Sequence, residues 1–343
     1  MAYSIARGMP VRGAVRRPAS AQSPRRRPGR PRSLVGAIAA YILIGSFLGV
    51  LGWELTETAA EARRLDSFER PDIAVEPPPE PPPPFIHEPL ADVLARQAPA
   101  TGTASLYVKH LDTGAEAEVN GQRIFAAASL YKLPVLTEVI RQTRLRRLSF
   151  DQQMMVRREH WVPGSGVLQA RVGQSLPVRE LVRLLIVESD NIAAIMLIEL
   201  LGIDNINLTL QSMGLHSTKL LDHRSTNAHN GLGPYVTSAS DVGLLLDTIA
   251  SGRLVDPTGS EEALRLLERK QGAGWLADGL PWWVKVAHKW GEVPGARHDA
   301  GVIFTPRNQY VIVVMTEGLA ANGSAGYIRD VSKAVFNHFE GNR

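Results

Sequence analysis

The sequence contains no cysteine. A disulfide framework, a thiolate metal site and a cysteine nucleophile are therefore all excluded. Acidic residues are also missing from the beginning of the chain, where none occurs before Glu54. Nine arginines precede Ser33, and removing them from the formal net charge of +4 leaves −5 for the remainder. The high isoelectric point thus belongs to a tail. A nucleic-acid-binding domain carries its basic footprint on the folded part, so no nucleic-acid partner is expected. The nine histidines form no H-E-x-x-H or other zinc spacing, and there is no glycine-rich phosphate loop. No metal or organic cofactor is expected. His288, His298 and Asp299 lie close in sequence, and they read as a structural ion pair or a site rim.

What is present divides the 343 residues into four parts. Residues 1–33 combine Arg, Pro, Ser and Gly with little apolar content, the composition of a disordered basic tail. Residues 34–53, LVGAIAAYILIGSFLGVLGW, carry no charge. A run of about 20 such residues spans the ~30 Å hydrocarbon core of a bilayer. It exceeds the apolar core of a signal peptide, and no convincing cleavage site follows it. The arginines before it place the N-terminus in the cytoplasm and the rest of the chain outside. Residues 54–86 include PDIAVEPPPEPPPP. Proline lacks an amide hydrogen and fixes φ, so this stretch reads as an extended stalk. The folded domain is expected over 87–343.

Within that domain, Pro89–Gln97 reads as a helix. Ala104–His110 and Glu116–Val119 alternate around Asp112-Thr113-Gly114 as a hairpin. Residues 129–143 read as a helix, and helical patterns dominate from about Leu145 to Gly252. Two strands, Ala300–Thr305 and Tyr310–Thr316, flank Pro306-Arg307-Asn308. A last helix covers about Gly326–Phe339. The expected fold is α/β of the α+β kind. Its antiparallel sheet is built by both ends of the domain and flanked by helices, with an all-helical domain inserted between.

Three short motifs carry chemistry. Ser129-Leu130-Tyr131-Lys132 is the only S-x-x-K in a chain with seven lysines. Residues i and i+3 share a helix face, so the hydroxyl and the amine sit side by side. Serine is a weak nucleophile without an adjacent base, and lysine becomes a base only when its pKa is depressed. Pro134 fits only the first turn of a helix beginning near Ser129. Ser189-Asp190-Asn191 falls between the apolar runs LVRLLIVE and AAIMLIELLG. It reads equally as a site or as a helix junction, since all three residue types make N-caps. His288-Lys289-Trp290-Gly291 precedes the terminal strands. Its lysine suits either an exposed strand face or a carboxylate-binding cation.

Order and spacing join the three. Ser189 follows Ser129 by 60 residues, and Lys289 follows Ser189 by 100. Together with VKHLDTG, MGLHST, VTSASDVGLLL and HKWGEVPGARHDAGV, the set resembles the superfamily of class A β-lactamases and penicillin-binding proteins over roughly residues 98–343. The resemblance implies that Ser129 attacks an amide or β-lactam carbonyl, Lys132 takes its proton, and Ser189 relays a proton to the leaving nitrogen. It implies that Asn191 binds the substrate amide and that Lys289, followed by Gly291, attracts a substrate carboxylate. The backbone N–H groups of Ser129 and Glu292 would form the oxyanion hole. The substrate would be a β-lactam or cell-wall peptide.

Two positions depart from the family pattern. Trp290 stands where a hydroxyl residue is usual. The glutamate that class A enzymes use for deacylation has no counterpart: no glutamate occurs between Leu200 and Glu261, and alignment on Leu221-Asp222 puts Ser225 in its place. Asp222, His223 and His229 are the candidate substitutes. The readings that remain are a β-lactamase-like hydrolase, a penicillin-binding-protein-like D,D-peptidase, and a catalytically silent binder of cell-wall peptide.

Overall fold

The computed structural model describes residues 88–225, 228–269 and 274–341. The tail, apolar span and stalk expected over 1–86 lie outside these residues. Helix α1 (Leu90–Ala95) leads into β1 (Thr103–His110) and β2 (Glu116–Val119). A two-residue strand β3 (Phe125–Ala126) and a 3₁₀ turn, Ala128–Tyr131, precede α2 (Lys132–Arg144). Next come β4 (Gln153–Met155), β5 (Ser175–Pro177), α3 (Val178–Val187), α4 (Asn191–Leu201) and α5 (Ile203–Ser212). After β6 (Lys219–Leu220) and β7 (Tyr235–Thr237) follow α6 (Ala239–Ala250) and α7 (Pro257–Leu267). The chain closes with β8 (Lys285–Val293), β9 (Ala296–Phe304), β10 (Gln309–Glu317) and α8 (Ala321–Glu340).

The main sheet has the order β2-β1-β10-β9-β8 and is antiparallel throughout. The two ends of the domain therefore meet at its centre, where Tyr107 of β1 faces Val313 of β10. The reason is visible in β10, whose core Tyr310–Met315 reads YVIVVM without alternation. A strand apolar on both sides must be covered on both sides. Val311, Val313 and Met315 face one core, shared with α2, α3, α4 and α6. Tyr310, Ile312 and Val314 face the other, shared with α1 and α8. The helices between β2 and β8 form the inserted layer.

The expected mixed fold is thus observed, with two differences of detail. The insert also holds two small sheets, β4-β5 and β3-β7-β6. Strands of two or three residues are too short to show a period in sequence. Ser129 lies in the 3₁₀ turn, and the α-helix begins only at Lys132. Pro134 then falls in the first α-helical turn, where its missing N–H costs nothing. Among the described residues no single helix is long and apolar enough to cross a membrane. The pair α4 and α5 passes on composition, but it bends by 82° and belongs to the core.

Candidate active site

The chain places Ser129 by a strained approach. Ala128 has φ of 44°, a left-handed value that costs a non-glycine residue about 1–3 kcal/mol. Flanking contacts hold it there. Ala127 N–H donates to Tyr235 O at 2.8 Å, and Leu130 N–H donates to Ala127 O at 3.0 Å. Just upstream, buried His298 accepts from the Thr316 N–H at Nδ1 (3.2 Å) and donates from Nε2 to Ala126 O (2.8 Å). That pattern defines a neutral imidazole, and burial pushes its pKa down accordingly.

Ser189 also has a left-handed backbone, with φ of 52°. Asp190 explains how it is held. This buried carboxylate caps α4 through the Ala193 N–H (2.9 Å) and also accepts from the Val167 (2.6 Å) and Leu168 (2.9 Å) N–H groups. Asp190 thus acts as a helix cap, while Ser189 and Asn191 reach Lys132 beside it. The same carboxylate pins the loop Pro163-Gly164-Ser165-Gly166, where Gly166 has φ of 120° and a Cβ would lie 2.2 Å from Asp190. That loop forms one wall of the cleft. The sequence carried a signal for it, the turn string PGSG, but nothing to tie it to Asp190.

Lys132 sits at the centre, fully buried. Its Nζ lies 3.3 Å from Ser129 Oγ, 3.0 Å from Ser189 Oγ and 2.9 Å from Asn191 Oδ1, and it also contacts Ser189 O. The Ser189 hydroxyl donates to Ser129 Oγ at 3.0 Å. An amine with four oxygen neighbours has more acceptors than hydrogens. The contact with Ser129 is the longest, so it is the one a lone pair can occupy when the amine is neutral. Burial, and then the positive charge of Lys289, hold the Lys132 pKa well below the usual lysine range, against a smaller opposing pull from Asp190. A neutral lysine beside a serine hydroxyl can act as a general base.

Strand β8 supplies the opposite wall. Lys289 is buried, its Nζ donates to Trp290 O at 2.8 Å, and burial lowers its pKa to about 7 despite the Asp299 carboxylate. Gly291 packs so close to the nucleophile's turn that a Cβ there would lie 2.6 Å from Ser129 N. This puts the main chain of β8 beside the Ser129 amide, the arrangement an oxyanion hole needs. Glu292 lines the cleft, with Arg297 donating to its carboxylate at 2.7 Å. Gly291→Ala is expected to lower the acylation rate by on the order of 10²-fold, the size of one lost oxyanion donor. A stopped-flow acylation rate equal to the parent's would show that the close approach is not used.

Trp290 occupies the position where the family pattern has a hydroxyl residue. Adjacent strand residues leave the backbone on opposite faces, so Trp290 starts out opposite Gly291, yet its ring centre lies 5.2 Å from the Lys289 Nζ. It packs edge-on against Trp275 at 5.4 Å. On that same face His288 Nδ1 lies 2.8 Å from Asp299 Oδ1, a buried hydrogen-bonded contact. No cluster of His, Asp or Glu that could hold a metal occurs among the described residues.

The cleft has a volume of about 410 Å³, bounded by Ser129, Tyr131, Ser165, Asn191, His223, Tyr235 and Glu292, among others. Tyr131 and Tyr235 stack with ring centres 4.0 Å apart, an aromatic floor that the sequence did not announce. Of the loop candidates, His223 reaches this cleft. Asp222 accepts instead from the Arg224 backbone and side chain and is half exposed, with its pKa lowered chiefly by that backbone bond. Neither Ser225 nor His229 lines the cleft among the described residues.

A model of the β-lactamase enzyme family matches residues 86–339. The chain belongs to the β-lactamase enzyme family. Solved structures agree with that family placement. PBP-A superimposes with a TM-score of 0.68 at 28% identity, over 74% of this chain and 98% of that one. A β-lactamase from Sphaerobacter thermophilus gives 0.68 at 26%, over 74% and 98%. The ancestral (GNCA) class A β-lactamase gives 0.65 at 24%, over 73% and 98%, a likeness of fold. No curated protein sequence matches the chain significantly. A family member of this fold is a hydrolase acting on a small-molecule substrate, and the Ser129 cleft is its candidate active site.

Proposed function

We propose that the protein is a serine hydrolase that forms an acyl-enzyme on Ser129 with a β-lactam or a cell-wall peptide and releases the acyl group slowly. The observation that carries this reading is the contact of Lys132 Nζ with both the Ser129 and Ser189 hydroxyls. In the forward step Lys132 removes the Ser129 proton as Oγ attacks the carbonyl. Ser189 then passes a proton to the leaving nitrogen. The amides of Ser129 and Glu292 hold the oxyanion, Asn191 the substrate amide, and Lys289 a substrate carboxylate. Slow release follows from the loop after Leu221, which brings no carboxylate to the cleft. A leucine-to-glutamate mutant of PBP-A is described as an acyl-enzyme complex with penicillin G, which supports covalent capture in this fold. That balance favours penicillin-binding, peptidase-like behaviour over efficient lactam hydrolysis. Residues 34–53 would tether the domain outside the cytoplasmic membrane.

A fluorescent penicillin followed by washing tests the proposal. Stable label supports it, rapid turnover marks an efficient β-lactamase, and no label refutes acylation.

The two lysines set a pH profile. Lys132 must be neutral to accept a proton, so acylation is expected to rise from acid pH as Lys132 deprotonates. Lys289 must be charged to hold a carboxylate, and it loses that charge on passing about pH 7. Acylation by a carboxylate-bearing penicillin is therefore expected to fall again on the alkaline side. A profile that keeps rising there would remove Lys289 from substrate binding.

A further inference from the structure

Among the described residues Trp282, 95% exposed, is the most exposed large apolar side chain, and its neighbour Trp283 is 47% exposed. Lone exposed apolar residues are ordinary, but adjacent indoles at a tip are not. They occupy the two central positions of a turn closed by the Val284 N–H donating to Pro281 O at 3.0 Å. That turn is firmly seated on α8. Ser332 Oγ donates to Leu276 O at 2.8 Å, a Cβ on Gly279 would lie 2.4 Å from Arg329 O, and Trp283 meets Phe336 edge-on at 6.1 Å. Leu276, Leu280 and Val284 beneath it join the core of Leu90, Leu94, Ile328, Val331 and Val335. The tryptophans therefore belong to the layer that also contains α1, the first helix after the proline-rich stretch. The described chain enters on this layer, through α1. Ser129, Lys289 and Gly291 lie on the other side of the sheet.

The charges around the turn nearly balance. Lys285, Arg329 and Lys333 are exposed, but so are Asp278 and Asp330, and Lys285 pairs with Glu268. Attraction to an anionic polymer is not the chemistry offered. Indoles combine an apolar body with one N–H donor, which suits the boundary between lipid headgroups and acyl chains. We infer that the Trp282-Trp283 turn docks the domain onto the surface of a lipid bilayer, with the α1–α8 layer against the lipid and the Ser129 cleft on the layer facing away. The inference rests on reading residues 34–53 as a membrane span.

The full-length protein reconstituted in phosphatidylcholine–phosphatidylglycerol nanodiscs tests it. Tryptophan emission is compared between the parent and Trp282→Ser, with and without brominated lipid. Trp282 is almost free of the core, so this substitution leaves folding intact, and penicillin labelling checks that it does. The emission difference between the two proteins reports Trp282 itself. Loss of that difference signal in brominated lipid is the expected result, and Trp283→Ser should repeat it. A difference signal indifferent to bromine, in protein retained by the discs, overturns docking while leaving the span intact. Protein that fails to enter the discs overturns both. A signal that instead shifts with soluble cell-wall glycan would also overturn it, assigning the turn to sugar stacking.

Discussion

Ser129→Ala is expected to abolish acylation by penicillin while leaving the fold unchanged. Among the described side chains the Ser129 hydroxyl hydrogen-bonds to Lys132 and Ser189, and Lys132 keeps Asn191 and both Ser189 oxygens without it. The Ser189 hydroxyl loses its acceptor but keeps its contact with Lys132. Removing the nucleophile of a serine hydrolase costs about 10⁶-fold in rate, as the subtilisin triad illustrates. Intact-mass spectrometry after incubation with penicillin reads the outcome directly. A mass increase on the alanine variant, with an unchanged melting curve, would move the nucleophile elsewhere, and Ser189 would be the first place to look.

The acyl-enzyme formed by the parent protein is expected to be long-lived. Hydrolysis of the ester needs a base within hydrogen-bond reach of the attacking water, and a well-placed one contributes about 10²–10⁴-fold. Two carboxylates stand near enough to be considered. Glu292 lines the cleft but is held by Arg297, and Asp222 is turned toward Arg224. Lys132 remains available, crowded by four oxygens, and His223 is the one loop imidazole on the cleft wall. Release should accordingly be slower by about that factor than with a placed base. Time-resolved mass spectrometry after a penicillin pulse measures both steps. Decay as fast as acylation would mean that a base is in place, and His223→Ala would then be the decisive variant, slowing release without slowing attack.

The motifs were legible because their chemistry is local. Ser129 and Lys132 are one turn apart, and no long-range contact is needed to make them neighbours. The sheet was legible at its ends because β1, β9 and β10 are long enough to display a pattern. The rest depended on contacts distant in sequence. Trp290 illustrates the loss: alignment gave its position, but only the pairing of β8 with β9 fixed which face its indole took. Gly291 was recognisable as a motif residue, while its reason, the Ser129 amide pressed against it, lay 162 residues away. Ser225 was placed by alignment, and it does not line the cleft among the described residues. Counting residues from Leu221-Asp222 assumes a loop of constant path, and this loop instead directs His223 to the cleft. The left-handed backbones at Ala128 and Ser189 had no signature at all, because neither residue type favours them.

The pairing of β1 with β10 also governs how the domain comes into being. β1 is among the first parts to be synthesised and β10 among the last, so β1 waits for a partner about 200 residues downstream. Such closure is slow, though its entropic cost grows only gently with length. The serine and its lysine are made early, but the strand bearing Lys289 and Gly291 comes much later, and the sheet that seats it closes last. A nascent or C-terminally truncated chain therefore holds the nucleophile without the wall that completes the cleft. Reactivity is withheld until the whole chain has been delivered, and a stop codon before Gln309 would yield an unfinished sheet with no active fragment.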